Sequence, residues 1–366
     1  MTETIRPSGG QPHRGADDGV QPAEPVSSAP APKAETNAAA SAPSAEVETA
    51  GPAEPGPATH TVRLVRRHLG VLLVGGGAFL ITLGLLLHFH VYSALALLPA
   101  DTEQELHLDD ESATFLDTST WQTQRETPVE RHLTISGEPS PGNAGWTTWT
   151  MRTTTSGGER LIGHSDRRVI VDREAASAVN CCSEHVDGDH EVRQAGLVLN
   201  WPADAPAEDV PYYDADIRAA PQMRYSGTEE VGGVETRRYE QTIPATQVPD
   251  SARQVPARVL DSDRDGTVEA TRWLELTRTV WVEPVTGHVV HMTEERHETL
   301  RSGNGAQATL VDAELRLVDA HISERVEEAQ GQALLLRATR EWIPGAFAGL
   351  GPLLWAAATV LVRRGI

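Results

Sequence analysis

The chain has 366 residues, and its 52 acidic against 31 basic side chains give a formal net charge of −21. Most of the acidic excess lies in residues 99–338, where it would repel nucleic-acid phosphates, so we expect no nucleic acid partner. The same charge argues against direct docking of this region onto anionic lipid head groups.

The first segment, residues 1–61, is rich in Pro, Ala, Glu and Ser and contains no aromatic side chain. Such a segment buries too little apolar surface to offset the entropy lost on ordering. We predict a disordered, Pro/Ala-rich cytoplasmic tail.

An apolar run follows, with no charged side chain from Leu69 to Leu87. A stretch of this length approaches the roughly 20 residues that span a bilayer, and it predicts a transmembrane helix over residues 68–92. Arginines precede it, which favours a cytoplasmic N-terminus. Ala94-Leu95-Ala96 resembles a signal-peptidase site, but the run and the tail before it are long for a signal peptide, so we expect a retained anchor.

The next region, residues 99–322, has the pattern of an extracytoplasmic β domain. Alternating β-branched and aromatic runs are separated by glycine turns, which is typical of antiparallel meanders. The runs cover residues 146–155, 160–174, 271–284, 288–300 and 306–318.

A second apolar run closes the chain. A juxtamembrane helix is predicted over residues 323–341, with Ser323 as its cap, and it leads into a second transmembrane helix over residues 342–362. The alternative is a buried core helix. Arginines follow this run also, so we expect a plasma-membrane protein with both termini cytoplasmic and residues 99–338 extracytoplasmic. Glycines in the two spans suit close helix packing.

Two stretches of the β region are similar to each other. "RRVIVDREAASAVN" (residues 167–180) and "RTVWVEPVTGHVVH" (residues 278–291) each read as a strand, an acidic residue, a turn and another strand. They are either two related meander units or two unrelated hairpins of ordinary pattern.

The combination of a span at each end, "VNCC" (residues 179–182), "YSGTEEVGGVETRRYEQTIPAT" (residues 225–246) and "RTVWVEPVTGHVV" (residues 278–290) resembles the PorA-type family of actinobacterial membrane proteins. The family is largely a domain family of unknown function, and its name implies a porin. One helical span at each end does not build an outer-membrane barrel. The same strand pairs are more distantly similar to LolA-type lipid carriers. That resemblance implies a curved antiparallel sheet whose concave face holds acyl chains.

The only two cysteines are adjacent, Cys181 and Cys182. Outside the membrane thiols tend to oxidise, and we favour a vicinal disulfide between them over pairing between chains or two free thiols. His185 and His190 lie nearby, but their spacing is not a standard zinc pattern, so we predict no metal site.

Two other motifs are weak indications of chemistry. Residues 261–272 begin like a calcium loop, but position 12 is Arg272 instead of a bidentate Glu, which favours an acidic hairpin tip. In "GHSD" (residues 163–166) neighbouring side chains point to opposite faces of a strand and cannot form a triad. We predict no enzyme and no cofactor.

These features predict a mainly β ectodomain of antiparallel meanders between two transmembrane helices. Its expected partners are the bilayer and a lipid or other apolar envelope component, held in an apolar cavity of several hundred Å³. Trp146, Trp273, Val280 and Val282 are the expected cavity residues, and Trp281 should face the other way. The alternatives are an ordinary packed core, a structural or signalling role, and a channel made by a homo-oligomer of the spans.

Overall fold

The computed structural model describes residues 58–261 and 263–364, with side chains from His68 onward. Almost all of the expected disordered tail therefore lies outside the described residues. Helix α1 (Ala58–Leu86) continues through a π-helical turn (Leu87–Val91) into α2 (Tyr92–Leu95). The last residues assigned to the tail, 58–61, are thus helical.

Over the described residues thirteen strands follow, in one mostly antiparallel sheet that forms a half-barrel. The first group is β1 (Thr102–Asp117), β2 (Gln122–Pro139), β3 (Trp146–Gly157), β4 (Arg160–Asp172), β5 (Ala178–Val179), β6 (His185–Val186) and β7 (Val210–Pro211). The second group is β8 (Gln222–Val231), β9 (Val234–Gln247), β10 (Arg253–Pro256), β11 (Thr267–Val282), β12 (Val289–Ser302) and β13 (Gln307–Leu317). Helix α3 (Ala257–Leu260) separates β10 from β11.

The strand order is β5-β4-β3-β2-β1-β13-β12-β11-β9-β8-β7, with β10 paired to β11 and β6 to β4. Two meanders, β1–β4 and β8–β13, are therefore joined where β1 pairs with β13. That pairing is antiparallel and places Leu108 opposite Leu317. The start of β1 and the end of β13 thus lie at the same end of the sheet, which brings the two flanking helices together.

The core lies on one side of the half-barrel, which we call the inner face. Alternation along each strand places Leu106, Trp149, Val280 and Met292 on this face. Residues 173–221, the covering segment, lie over it and bury apolar side chains of their own. Those side chains are Leu197, Val198, Leu199, Trp201, Ala205 and Tyr212.

The chain returns toward the first helix through α4 (Asp319–Arg337), a π-helical turn (Ala338–Trp342) and α5 (Ile343–Arg363). Two apolar helical stretches, His68–Leu95 and the long helix Asp319–Arg363, are long enough to cross a bilayer. Most of their apolar side chains are exposed, unlike those of a core helix.

The two long helices pack at small residues. A Cβ at Gly77 would lie 2.6 Å from Trp355 Nε1 and 2.8 Å from the Gly351 carbonyl, so only glycine fits. The Trp355 indole donates to the Val74 carbonyl at 3.0 Å. Gly77 and Gly351 therefore form part of the close helix packing that we expected from the sequence. Gly75 faces open space and takes no part in it.

The π-helical turns meet where the helices join the β domain. His88 Nδ1 lies 2.8 Å from the Arg340 carbonyl, and Arg340 Nη1 donates to the Tyr92 hydroxyl at 3.0 Å. Arg340 and Tyr92 also both bond Asp204 of the covering segment. These contacts connect the helix pair to the segment that closes the inner face.

Candidate functional site

The inner face of the second meander holds ionised side chains deep in the core. Arg278 on β11 donates to Glu294 on β12 at 2.8 Å and to Asp214 of the covering segment at 3.0 Å. All three are almost fully buried. Among the described residues the ion-pair network has four arginines and four carboxylates, namely Arg131, Arg272, Arg278, Arg296, Asp214, Asp216, Glu294 and Glu298.

The network fastens the covering segment to the sheet. Asp216 of that segment accepts hydrogen bonds from Arg272 at 2.8 Å and from Arg296 at 3.1 Å. Burial opposes ionisation of Glu294, but the charges of Arg278, Arg131 and Arg296 outweigh it and hold its pKa at about 2. With equal numbers of opposite charges, the network is neutral at pH 7.

Another buried arginine, Arg167 on β4, lies beside this network and has no carboxylate partner among the described residues. Its Nε donates to Gln194 Oε1 at 2.5 Å, its guanidinium lies 4.5 Å from the centre of the Tyr213 ring, and its Nη2 has no partner. Only 5% of Arg167 is exposed. Burial lowers its pKa to about 10, so it remains protonated at neutral pH. Within the described part of the chain it is therefore a buried cation without an ion pair, although the charge of Asp214 acts on it from a greater distance.

Arg167 lines a cavity of about 90 Å³ between the sheet and the covering segment. The Tyr213 hydroxyl is buried without a partner on the same wall, and Thr153 and Ser165 add two more hydroxyls. The rest of the lining combines apolar side chains with members of the ion-pair network. The apolar residues are Leu106, Leu108, Leu133, Met151, Val198, Leu199 and Met292, and the network residues are Arg131, Arg278, Asp214, Asp216 and Glu294. Unpaired donors beside apolar side chains suit an anionic group attached to an apolar body.

The four residues expected to share one cavity wall do not share a face. Val280 and Val282 are fully buried on the inner face, inside the packed core, and neither lines the cavity. Trp273 contacts Thr271 and Arg301 on the outer face, as its odd spacing from Val280 requires. Trp146 also lies on the outer face, because it precedes the inward Trp149 by three residues.

Trp281 lies on the opposite face from Val280 and Val282. Its ring stacks on His291 at 4.5 Å, and it lines a surface groove of about 620 Å³ beside α4. Charged residues surround this groove, including Glu229, Arg316 and Asp319. On the inner face the apolar side chains of the covering segment pack into the core, and the cavity lined by Arg167 there measures about 90 Å³, less than the several hundred Å³ expected.

The remaining sequence motifs lie away from the cavity. Cys181 and Cys182 are joined as a vicinal disulfide in the covering segment. The rings of His185 and His190 lie edge to face, with their centres 5.2 Å apart. His190 Nδ1 forms a hydrogen bond with the Glu184 backbone carbonyl, so this nitrogen does not point to a ligand position shared with His185. Asp261 and residues 263–266, which include two further aspartates, lie between α3 and β11.

Sequence reasoning missed Arg167 and the whole ion-pair network. One signal was present, because Glu294, Arg296 and Glu298 alternate on β12 between the inward Met292 and Leu300. When charged and apolar residues occupy the same alternate positions of a strand, they lie on the same face, so the charged side chains are placed in the core. Asp214 and Asp216 gave no such signal, since they lie in an irregular segment.

Comparison with known proteins agrees with this architecture. A family model described as Porin PorA matches residues 69–360, from the first long helix to the last. A curated protein, Porin PorA of Corynebacterium amycolatum, is 24% identical over 301 residues, which cover 63% of this chain and 77% of that protein. The family match contains all thirteen described strands and most of both apolar helices.

Proposed function

The chain belongs to the Porin PorA family, and from that premise we propose that it is an envelope protein whose half-barrel binds an anionic amphiphile. Family membership and the two apolar helices indicate membrane association. The observation behind the proposed ligand is Arg167, a buried cation that has no ion pair among the described residues and lines a cavity beside unpartnered donors and apolar side chains. No catalytic step is part of the proposal.

The ligand's head would lie against Arg167. A carboxylate or phosphate oxygen would take the free Nη2 and the Tyr213 hydroxyl, which otherwise stay buried without partners. The cavity of about 90 Å³ suits such a head and excludes a long chain. An uncharged ligand would leave the arginine unpaired, at a cost of several kcal/mol for a buried charge.

The tail would take the place of part of the covering segment. Val198 and Leu199 of that segment face the inward Leu106 and Met292 across the cavity. Displacing them would open a continuous apolar path along the inner face while the tail replaced their contacts. We therefore describe the present state as closed, with the chain's own apolar residues in the position of a ligand.

The test compares two ligands that differ only in charge. Dodecanoate and dodecanol, each below its aggregation concentration, are titrated into the full chain in a non-ionic detergent and followed by calorimetry. We expect dodecanoate to bind roughly 10- to 100-fold more tightly, the value of one charge-assisted hydrogen bond. Arg167→Met should remove this preference, while Arg152→Gln on the same sheet, with an exposed side chain, should keep it.

Stability separates this role from a structural one. Replacing an unpaired buried charge with an apolar side chain of similar volume is often neutral or stabilising. We expect Arg167→Met to unfold at the same temperature as the wild type or higher. Equal binding of acid and alcohol by the wild type, or a marked loss of stability in Arg167→Met, would contradict the proposal.

The proposed orientation places both termini in the cytoplasm and residues 99–338 outside. The basic residues just before the first span and after the second support it by the positive-inside rule. A reporter enzyme fused ahead of residue 63 should be active only in the cytoplasm. Activity of that fusion outside the membrane would overturn the orientation.

A second candidate function is a channel, which the name of the curated relative favours. The half-barrel itself is unsuited to crossing lipid, because its outer face carries charged residues such as Glu130, Arg152 and Arg301. A channel would thus require several copies of the helix pair. Ion conductance of the purified full chain in planar bilayers, lost in a chain without residues 342–366, would support it.

A further inference from the structure

The outer face of the first meander brings two histidines and a glutamate together, away from the Arg167 cavity. His107 on β1 is directly opposite His132 on β2, and their imidazole rings stack at 4.0 Å. Glu130 precedes His132 by two residues and therefore lies on the same face. Its Oε2 lies 3.4 Å from His132 Nε2 and 4.0 Å from His107 Nε2.

We propose that His107, Glu130 and His132 bind a divalent transition-metal ion, with Zn²⁺ as the best match. One ligand atom from each residue lies within 4.8 Å of the other two. Ligands of a tetrahedral zinc ion lie about 3.4 Å apart at zinc–ligand distances near 2.0 Å, so small side-chain rotations complete the site. Two imidazoles and one carboxylate are a ligand set that zinc uses, with a water in the fourth position.

The polar atoms at the site lack better partners. His107 Nε2 is buried and accepts or donates no hydrogen bond within the described part of the chain. Directly opposed residues on neighbouring antiparallel strands have Cβ atoms about 5 Å apart, which holds two imidazoles on a common ion. The sheet therefore pre-positions both rings, and binding requires little ordering of the chain.

The surrounding charge favours a cation. Glu105, two residues before His107, lies with its carboxylate 3.7 Å from His132 Nδ1, on the side of the ring away from Glu130. A carboxylate behind a ligating imidazole orients the ring and strengthens it as a donor to the metal. His132 and Glu130 are partly exposed, at 34% and 50%, so an ion can enter from solvent.

The experiment uses the untagged full chain, stripped with a chelator and titrated with Zn²⁺ against a chromophoric indicator. We expect one equivalent to bind, and His107→Ala and His132→Ala each to weaken binding at least tenfold. Co²⁺ should give the visible absorption of a tetrahedral site with nitrogen and oxygen ligands. His297→Ala is the control, since His297 is also a partly exposed outer-face histidine beside a carboxylate, that of Asp312.

The variants should fold, because these side chains lie on the outer face and outside the core. Metal-free His107→Ala and Glu130→Gln should unfold within a few degrees of the wild type, while Glu130→Gln still weakens Zn²⁺ binding. The proposal is wrong if the wild type binds no stoichiometric Zn²⁺. It is equally wrong if His107→Ala, His132→Ala and His297→Ala bind the ion with the same affinity as the wild type.

Discussion

At the scale of single residues, the arginines of the inner face lie in two kinds of electrostatic environment. Arg278 and Arg296 are surrounded by carboxylates, and both help to hold the pKa of Glu294 at about 2. Arg167 has only an amide and an aromatic ring. Arg278 and Arg296 stabilise the fold through their ion pairs, whereas the charge of Arg167 is left for the proposed ligand to neutralise.

Arg296→Met should lower the free energy of unfolding by about 3–5 kcal/mol, because it leaves buried carboxylates without their counter-charge. Glu298 lies 2.6 Å from Arg296 and Asp216 lies 3.1 Å from it, and both would be affected. Chemical denaturation of the full chain measures the change.

The matched control is Arg316→Met, on the outer face, where the side chain is 62% exposed beside Asp319. Exposed ion pairs contribute little, so this variant should remain within about 0.5 kcal/mol of the wild type. If both variants lost the same stability, the network would not be acting as a desolvated cluster.

At the scale of elements, sequence pattern predicted both long helices and five of the long strands, since the runs at residues 146–155 and 160–174 correspond to β3 and β4. The runs expected at residues 271–284, 288–300 and 306–318 correspond to β11, β12 and β13. The alternation of these strands is strong because one face is buried. Long strands β1 and β2 gave little signal, since their outer faces are highly charged and bulges interrupt their pairing.

The candidate site was predictable only in part. Periodicity shows which residues share a face. The odd spacing between Trp273 and Val280 places these two side chains on opposite faces of the sheet. It does not show what covers that face. The covering segment is irregular and brings Asp214 to Arg278 across 64 residues of sequence. Contacts of this kind come from tertiary packing and leave no local pattern.

The crossing of the two long helices can be tested through Gly77. Gly77→Leu should separate the helices, because any side chain there meets Trp355 and the backbone of Gly351. Gly84→Cys with Phe347→Cys reports the separation, since a Cβ at Gly84 would lie 3.5 Å from that of Phe347, suitable for a disulfide. Proteolysis of the β domain followed by a non-reducing gel shows whether the two helices remain joined.

The control for this pair is Gly75→Leu, where a Cβ meets no atom within 4 Å. Cys181→Ser and Cys182→Ser remove the native thiols from both chains. We expect cross-linking to persist in Gly75→Leu and to fall strongly in Gly77→Leu. Equal cross-linking in the two variants would mean that the helices do not cross at Gly77.

At the scale of the whole molecule, buried ionisable groups make stability depend on pH in one direction. Burial, with Arg325 and Arg316 nearby, lowers the pKa values of His288 and His291 to about 4. In the unfolded chain a histidine titrates near 6.5. The unfolded state therefore binds more protons below that pH, and stability that is complete above about pH 6.5 is lost as the pH falls toward 4.

Glu294 continues the same trend at lower pH. Its folded pKa of about 2 lies below its unfolded value, so its contribution is present above about pH 4.5 and is lost as the pH falls toward 2. We expect the thermal midpoint of the full chain to be level from pH 8 to 7 and to fall steadily below pH 6.5. His291→Phe keeps the stacking on Trp281 and should flatten the part between pH 6.5 and 4. A midpoint that rises on acidification would contradict this.

The pairing of β1 with β13 also decides when the domain can finish folding. Leu108 on the first strand pairs with Leu317 on the last strand, far apart in the sequence. The last strand must therefore leave the ribosome before the first one gains its partner. Until then the edge of β1 is open to other strands, and Asp109, Asp110 and Glu111 on that strand would discourage wrong pairing through their charge. Truncation anywhere before β13 would thus leave a chain with an open sheet edge, prone to wrong pairing and to proteolysis.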